Sequence, residues 1–175
     1  MEAVTFKEGG VVALVGDFAF PHSLDEVLSK KAEGAVRRTL GCLKSKDAKS
    51  VLVCPTEGTS LNLLPFLMAM HDVTLVFPTR EYASTFTPLD QDILEVAMKK
   101  AKSVVILNSE ETIDPYNYLR LMLETYTYMV EVADWTLLAH CDKMDHKTET
   151  ILDCIGDLES PTLRVNLDKE IKFEF

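Results

Sequence analysis

The residues able to do chemistry stand in short polar runs, each following an apolar run. Pro55-Thr56-Glu57-Gly58-Thr59-Ser60 precedes an apolar helical stretch. There the N–H groups and hydroxyls of Gly58, Thr59 and Ser60 can meet a phosphate at the positive end of a helix. The same residues also fit a purely structural use, with Gly58 making the turn and Thr59 or Ser60 capping the helix. Gly16-Asp17 ends the first apolar run. The glycine permits close backbone approach, and Asp17 can accept hydrogen bonds from ribose hydroxyls or an exocyclic amine, or bond its own turn instead. Arg80 offers a phosphate clamp in an acidic chain, or a surface partner for Glu81 or Asp90. Tyr116 and Tyr118 begin a later helix, from which one can stack on a base. Glu57 is the candidate carboxylate for acid–base work, whereas Asp134 lies at a helix-to-strand junction, the wrong end of a sheet for catalysis.

Other groups fall into place as structure. His22, His71, His140 and His146 have no metal-ligand spacing, and Cys42, Cys54, Cys141 and Cys154 contain no CxxC pair, so no metal is expected. Cys54 ends a strand-like run and reads as a small buried hydrophobe. Tyr126 and Tyr128 read as core or helix-face residues. The first strand is not followed by G-x-G-x-x-G, and no G-x-x-x-x-G-K-[ST] occurs anywhere. No cofactor is therefore expected, neither an NAD-type dinucleotide nor a Walker-type nucleotide site.

The elements that must position these groups alternate in period. Val11–Val15, Ser50–Cys54, Asp72–Phe77, Ser103–Leu107 and Trp135–Ala139 are short runs suited to strands buried on both faces. Between them lie helical periods. Ser23-Leu24-Asp25-Glu26 has capping-box spacing and opens a stripe that runs to Leu43. Leu61–Met70 is apolar nearly all round, which predicts burial under neighbouring elements or another subunit. Thr87-Pro88 and Asp114-Pro115 each read as a cap followed by proline in the first helical position. A short helix near Glu149–Leu158 follows, and Thr162–Asn166 with Glu170–Glu174 suggests a terminal hairpin. Ala3–Phe6 offers one more short strand.

Five strand-then-helix alternations predict an α/β fold: a Rossmann-like, doubly wound, mainly parallel sheet of about five core strands. A C-terminal β-hairpin appendage is expected beside it. Residues 1–175 read as a single domain, with the core at about 10–142 and the C-terminal helix and hairpin at 149–175. In such sheets ligands bind beyond the carboxyl ends of the strands. That rule selects the loops 16–23, 55–60, 78–85, 108–114 and 140–145.

The 175 residues carry 18 Lys and Arg against 28 Asp and Glu, a formal charge of −10. That balance opposes nucleic acid and anionic membranes as partners. At 47% hydrophobic and 26% charged, the chain can bury a full core. No secretory leader or membrane-length apolar run is read, so a cytoplasmic location is expected.

The order of these loops resembles the SLOG superfamily, the Rossmann-like domains that include the DprA and LOG proteins and the YpsA group. Val12-Ala13-Leu14-Val15-Gly16 is similar to the family's opening strand, and Thr56-Glu57-Gly58-Thr59-Ser60 to its glycine-rich turn before the second helix. Tyr128-Met129-Val130-Glu131-Val132-Ala133-Asp134 resembles the YpsA-type helix end that leads into the last core strand, and Pro115-Tyr116 falls near the loop before that helix. The likeness spans about residues 10–142. It implies a cleft for a nucleotide or a nucleotide-derived molecule, a signalling nucleotide being one such ligand. The chain departs from the LOG pattern where the family's catalytic glutamate would stand, because Asn62 cannot serve as a carboxylate base. The glycine pair before it is replaced by Thr56-Glu57. DprA relatives bind DNA, an expectation that the acidity of this chain removes.

Three functions follow as expectations. The first is binding of a nucleotide-like small molecule by Gly16, Asp17, Gly58, Thr59 and Ser60, with Arg80 and Tyr116 assisting. The second is hydrolysis or transfer at an N-glycosidic bond using Glu57. The third is a non-catalytic module in which the Leu61–Met70 helix and the terminal hairpin make a homo-oligomer or partner interface.

Overall fold

The computed structural model describes residues 11–16, 34, 37–44, 47–56, 59–140, 146–156 and 162–166. Six runs rich in β-branched residues form strands: β1 Val11–Gly16, β2 Ser50–Val53, β3 Asp72–Phe77, β4 Ser103–Ile106, β5 Trp135–His140 and β6 Thr162–Asn166. Helices separate them: α1 at residues 37–44, then α2 Thr59–Met70, α3 Pro88–Lys100, α4 Tyr118–Val132 and α5 His146–Gly156. The result is an α/β fold around one parallel sheet.

The strands lie in the order β4-β3-β2-β1-β5-β6, and every pair is parallel. Register is set in the middle by Val12 opposite both Val51 and Trp135. Because both faces of such a sheet are covered, its inner strands carry continuous apolar runs rather than alternating ones. Val73 through Phe77 are accordingly buried one after another. The core joins Leu52 and Leu75 of the sheet to Leu61 and Leu67 of α2 and Met122 and Met129 of α4. α2 packs on α3, while α4 packs on α5 and reaches β1 and β3.

Several expectations are met. Thr87 caps α3 with its hydroxyl 3.4 Å from the Asp90 N–H, and Pro88 opens the helix. Tyr126 is buried on α4 and Tyr128 half-buried. Asp134 precedes β5 and so stands at the amino edge of the sheet.

Others change. Thr162–Asn166 is not set apart from the sheet as one arm of an appended hairpin; it runs parallel to β5 as the sixth strand, Leu163 opposite Leu137. The crossover through α5 makes that direction possible, since parallel neighbours need a long connection. Its expected hairpin partner, residues 170–174, lies outside the described residues, as do Ala3–Phe6 and the Ser23–Glu26 capping box. α4 starts at Tyr118 rather than at Pro115. Asp114 does not cap the helix; its Oδ1 accepts the N–H groups of Tyr116 (2.8 Å) and Asn117 (3.1 Å), closing a turn ahead of it. The Asn117 side chain locks that turn, accepting from the Asp114 N–H and donating to the Thr112 carbonyl. A short carboxylate serves either geometry, and here the local turn wins. α5 begins at His146, a turn earlier than expected.

α2 is only half covered. Leu61, Leu63, Leu64 and Leu67 are buried, but Phe66 is 54% exposed and Met70 57%. Pro65 and Ala69 are exposed between them.

The amino edge of the sheet is tied by local bonds. α1 ends in a Schellman arrangement, with the Ala48 N–H reaching the Leu43 carbonyl and the Asp47 N–H reaching that of Lys44. Asp47 takes the left-handed conformation that this cap requires, at φ 52°. His71 Nδ1 donates to the Ala48 carbonyl at 2.7 Å, and Lys102 pairs with Asp72 at 2.9 Å. These contacts leave the opposite edge as the place where loops are free to vary.

Candidate functional site

At the carboxyl edge the loops take the order of the strands that feed them. Gly16 is the last residue of β1, opposite Ala139 of β5. Thr59 and Ser60 are the first residues of α2, beyond the end of the neighbouring strand β2. All three therefore belong to the carboxyl edge, Gly16 at the end of β1 and Thr59 and Ser60 at the start of the helix that follows its neighbour β2. Arg80 follows β3, one strand further out, and Tyr116 lies in the turn before α4, beyond the edge strand β4. Asp17, Glu57 and Gly58 lie outside the described residues.

The first turn of α2 contains no acidic residue, and the helix as a whole carries no charge. No carboxylate within that turn competes for its N–H groups. Arg80 is exposed. It pairs with neither Glu81 nor Asp90, and it makes no ion pair among the described residues. Tyr116 is 98% exposed, so its ring stands in solvent and forms no wall of a closed cleft. Beyond β4, Arg120 is held by Glu111 (2.6 Å) and Glu124 (3.1 Å). Asn108 donates to the second oxygen of Glu124. Its hydrogen bonds to Glu111 and Glu124 hold the Arg120 guanidinium above the ordinary arginine range, so this cation is already answered.

A buried polar cluster under this edge was not signalled by any motif. Tyr82 sits in a 3₁₀ turn, Tyr82–Thr85, after β3. Its hydroxyl donates to the Pro55 carbonyl at 2.7 Å. Its ring lies 6.1 Å from that of Phe77 and 5.1 Å, edge-on, from that of Phe86. Tyr82 thereby pins the β2–α2 loop from below. Burial pushes the Cys54 thiol up to about 12, against a smaller lowering by its hydrogen bond with Tyr82. Burial likewise holds the Tyr82 phenol well above its ordinary value, with Cys54, Tyr126 and Tyr118 adding to the rise. Thr79, fully buried just beyond β3, has a hydroxyl with no hydrogen-bond partner among the described residues. The aromatic spacing Phe77, Tyr82, Phe86 within a polar loop was the available signal.

A thiol held neutral to about 12 is no nucleophile at neutral pH, since the thiolate is the reactive form. Cys42 and Cys54 are buried, whereas Cys154 on α5 is exposed. Alkylation of the native protein, mapped by mass spectrometry, is expected to modify Cys154 and to leave Cys42 and Cys54 intact until denaturant is added. Modification of native Cys54 as fast as Cys154 would contradict this burial.

Among the described residues no group of His, Cys, Asp and Glu is placed to hold a metal ion. No helix among them is long and apolar enough to cross a membrane. No protein-family model matches the chain, and no curated protein matches it significantly.

Proposed function

We propose that this chain is a Rossmann-like domain that holds a nucleotide or nucleotide-derived small molecule at the carboxyl edge of its sheet. The observation that carries this reading is the strand order β4-β3-β2-β1-β5-β6. The chain starts in the middle, proceeds outward to β4, then returns to the other side of β1. The order thus reverses between β1 and β5, and in open α/β sheets ligands settle at that reversal. The right-handed crossover rule assigns α1 to α3 to one face and α4 and α5 to the other. The packing of α2 with α3 and of α4 with α5 agrees with that wrapping.

Gly16 ends β1 beside the reversal, and the uncharged start of α2 at Thr59 and Ser60 follows the next strand, β2. In a chain of net charge −10, an anionic ligand is held by backbone N–H groups and Arg80 rather than by a basic pocket. The resemblance of residues 10–142 to the SLOG superfamily supplies the ligand class.

The test is thermal melting against a panel of nucleoside mono- and diphosphates, ADP-ribose and cyclic nucleotides. A ligand at about 100 times its dissociation constant adds about 2.7 kcal/mol. For a domain of this size that is a rise of roughly 5–10 °C. Arg80→Ala is expected to weaken binding by about tenfold without moving the melting temperature of the free protein, because it removes one charged contact. Absence of any shift across the panel at millimolar concentration overturns the reading. Free base measured in the same mixtures, and lost in Glu57→Gln, would mark a hydrolase instead.

A further inference from the structure

We propose that the α2–α3 face pairs with a second copy of this chain, related by a two-fold axis that passes beside Val96. Two apolar features coincide on that face. A groove of about 220 Å³ runs between the helices, lined by Leu64, Pro65, Met68, Ile93, Val96 and Ala97, with Lys100 at its end. Around it Leu89 is 64% exposed and Val96 53%. Phe66 and Met70 are exposed further round α2, away from the groove.

The partner is identified by the charge pattern on α3. At 100° per residue, Leu89, Asp92, Ile93, Val96 and Lys100 fall on one stripe of the helix. Asp92 and Lys100 are exposed and lie four residues before and four after Val96. Each is thus about 6 Å along the axis from Val96, in opposite directions. Neither makes an ion pair among the described residues, whereas the neighbouring Lys99 reaches Glu95 within its own helix. Acidic-first and basic-last order suits the dipole of any helix. What sets this pair apart is its place on the apolar stripe, equidistant from the centre of the patch. Antiparallel pairing of two α3 helices about Val96 brings Asp92 opposite Lys100 of the partner subunit, and Lys100 opposite the partner's Asp92. A two-fold interface is self-complementary in this way, each surface serving as both halves. A parallel arrangement would set like charges against each other. The face involves none of Gly16, Thr59 or Ser60, so the proposal stands or falls apart from the ligand reading.

Sedimentation of the full chain at about 100 μM, well above the dissociation constant of a specific interface, is expected to give twice the chain mass. Val96→Glu is expected to give monomer, since it buries a charge at the axis. Lys100→Glu and Asp92→Lys each set like charges together twice per dimer and are expected to weaken self-association by about tenfold or more. The double exchange, D92K with K100E, is expected to restore it. All three positions of change are exposed, and far-UV circular dichroism with thermal melting confirms that each variant folds. A monomeric wild type overturns the proposal, and so does a dimer that Val96→Glu leaves intact. A dimer whose single charge reversals have no effect, or whose double exchange fails to recover, overturns the two-fold register.

Discussion

Raising the pH from 9 towards 12 is expected to unfold this protein, with Cys54 and Tyr82 as the groups that drive the transition. In the unfolded chain the thiol and the phenol ionise near their ordinary values of 9.0 and 10.0. In the fold, burial keeps both protonated to higher pH. Above pH 9 the unfolded state therefore holds fewer protons than the native state, and stability falls as pH rises. The contribution of these groups is fully present below pH 9 and is lost as the pH climbs through about 12 for Cys54. Each group costs about 1.4 kcal/mol per pH unit once its unfolded form ionises. Over three units the thiol alone removes about 4 kcal/mol, and the phenol, also held protonated by burial, lowers stability further in the same direction above pH 10. The thiol loss alone approaches the lower end of the usual total stability of about 5–15 kcal/mol, and the phenol acts in the same sense. Urea melts from pH 7 to 11 check this. The variant Cys54→Ala with Tyr82→Phe is expected to be weaker at pH 7, because the buried Pro55 carbonyl loses its donor at a cost of about 1–3 kcal/mol. Its stability is nevertheless expected to decline more shallowly between pH 9 and 11. An equal slope in variant and wild type would exclude these two groups as the cause.

Leu61→Ala is expected to lower stability by about 2–5 kcal/mol, a melting temperature drop of roughly 6–15 °C. Leu61 is fully buried and is the first core residue of α2 after Thr59 and Ser60. Its side chain joins the cluster that also holds Leu64, Leu67 and the sheet residues Leu52 and Leu75. Truncation leaves a cavity beneath the first turn, and the helix start loses its anchor on the sheet. Pro65 aggravates the loss, because it gives the Leu61 carbonyl no N–H from the next turn. Leu61→Met keeps the volume and is expected to cost less than about 1.5 kcal/mol. Chemical denaturation of both variants separates the two cases. An alanine variant as stable as the methionine one would mean that the site collapses without penalty.

What the sequence discloses is whatever a single segment decides. Asp72–Phe77 is legible as a strand because a run of five residues, four of them apolar and three β-branched, fits a position covered on both faces. Thr87-Pro88 is legible as a helix start because cap and proline act within one turn. Cys54 is legible as a buried thiol from its place at the end of an apolar run. Asp114-Pro115 misleads because the same short carboxylate can cap a helix or close a turn, and the choice rests on Asn117 and Thr112. The direction of β6 is illegible locally, since alternation describes either sense of pairing and only the crossover through α5 decides. Tyr82 escapes for another reason. Its environment is assembled from β2, β3 and the 3₁₀ turn, three segments that sequence spacing does not connect. Of the candidate site, the shared edge of Gly16, Thr59 and Ser60 follows from strand order, whereas the solvent-facing ring of Tyr116 depends on the Asp114 turn.

The central place of β1 carries a consequence for how the chain acquires its structure. β1 pairs on one side with β2, which follows within about 40 residues, but on the other with β5, about 120 residues later. Closing such a long loop is slow compared with local pairing, and during synthesis the second partner does not exist until most of the chain has been made. Until then one edge of β1 presents unpaired N–H and C=O groups beside an apolar face, the kind of surface that recruits other chains. The β1–β4 half thus carries an open edge on β1 throughout its synthesis, and the arrival of β5 ends that exposure.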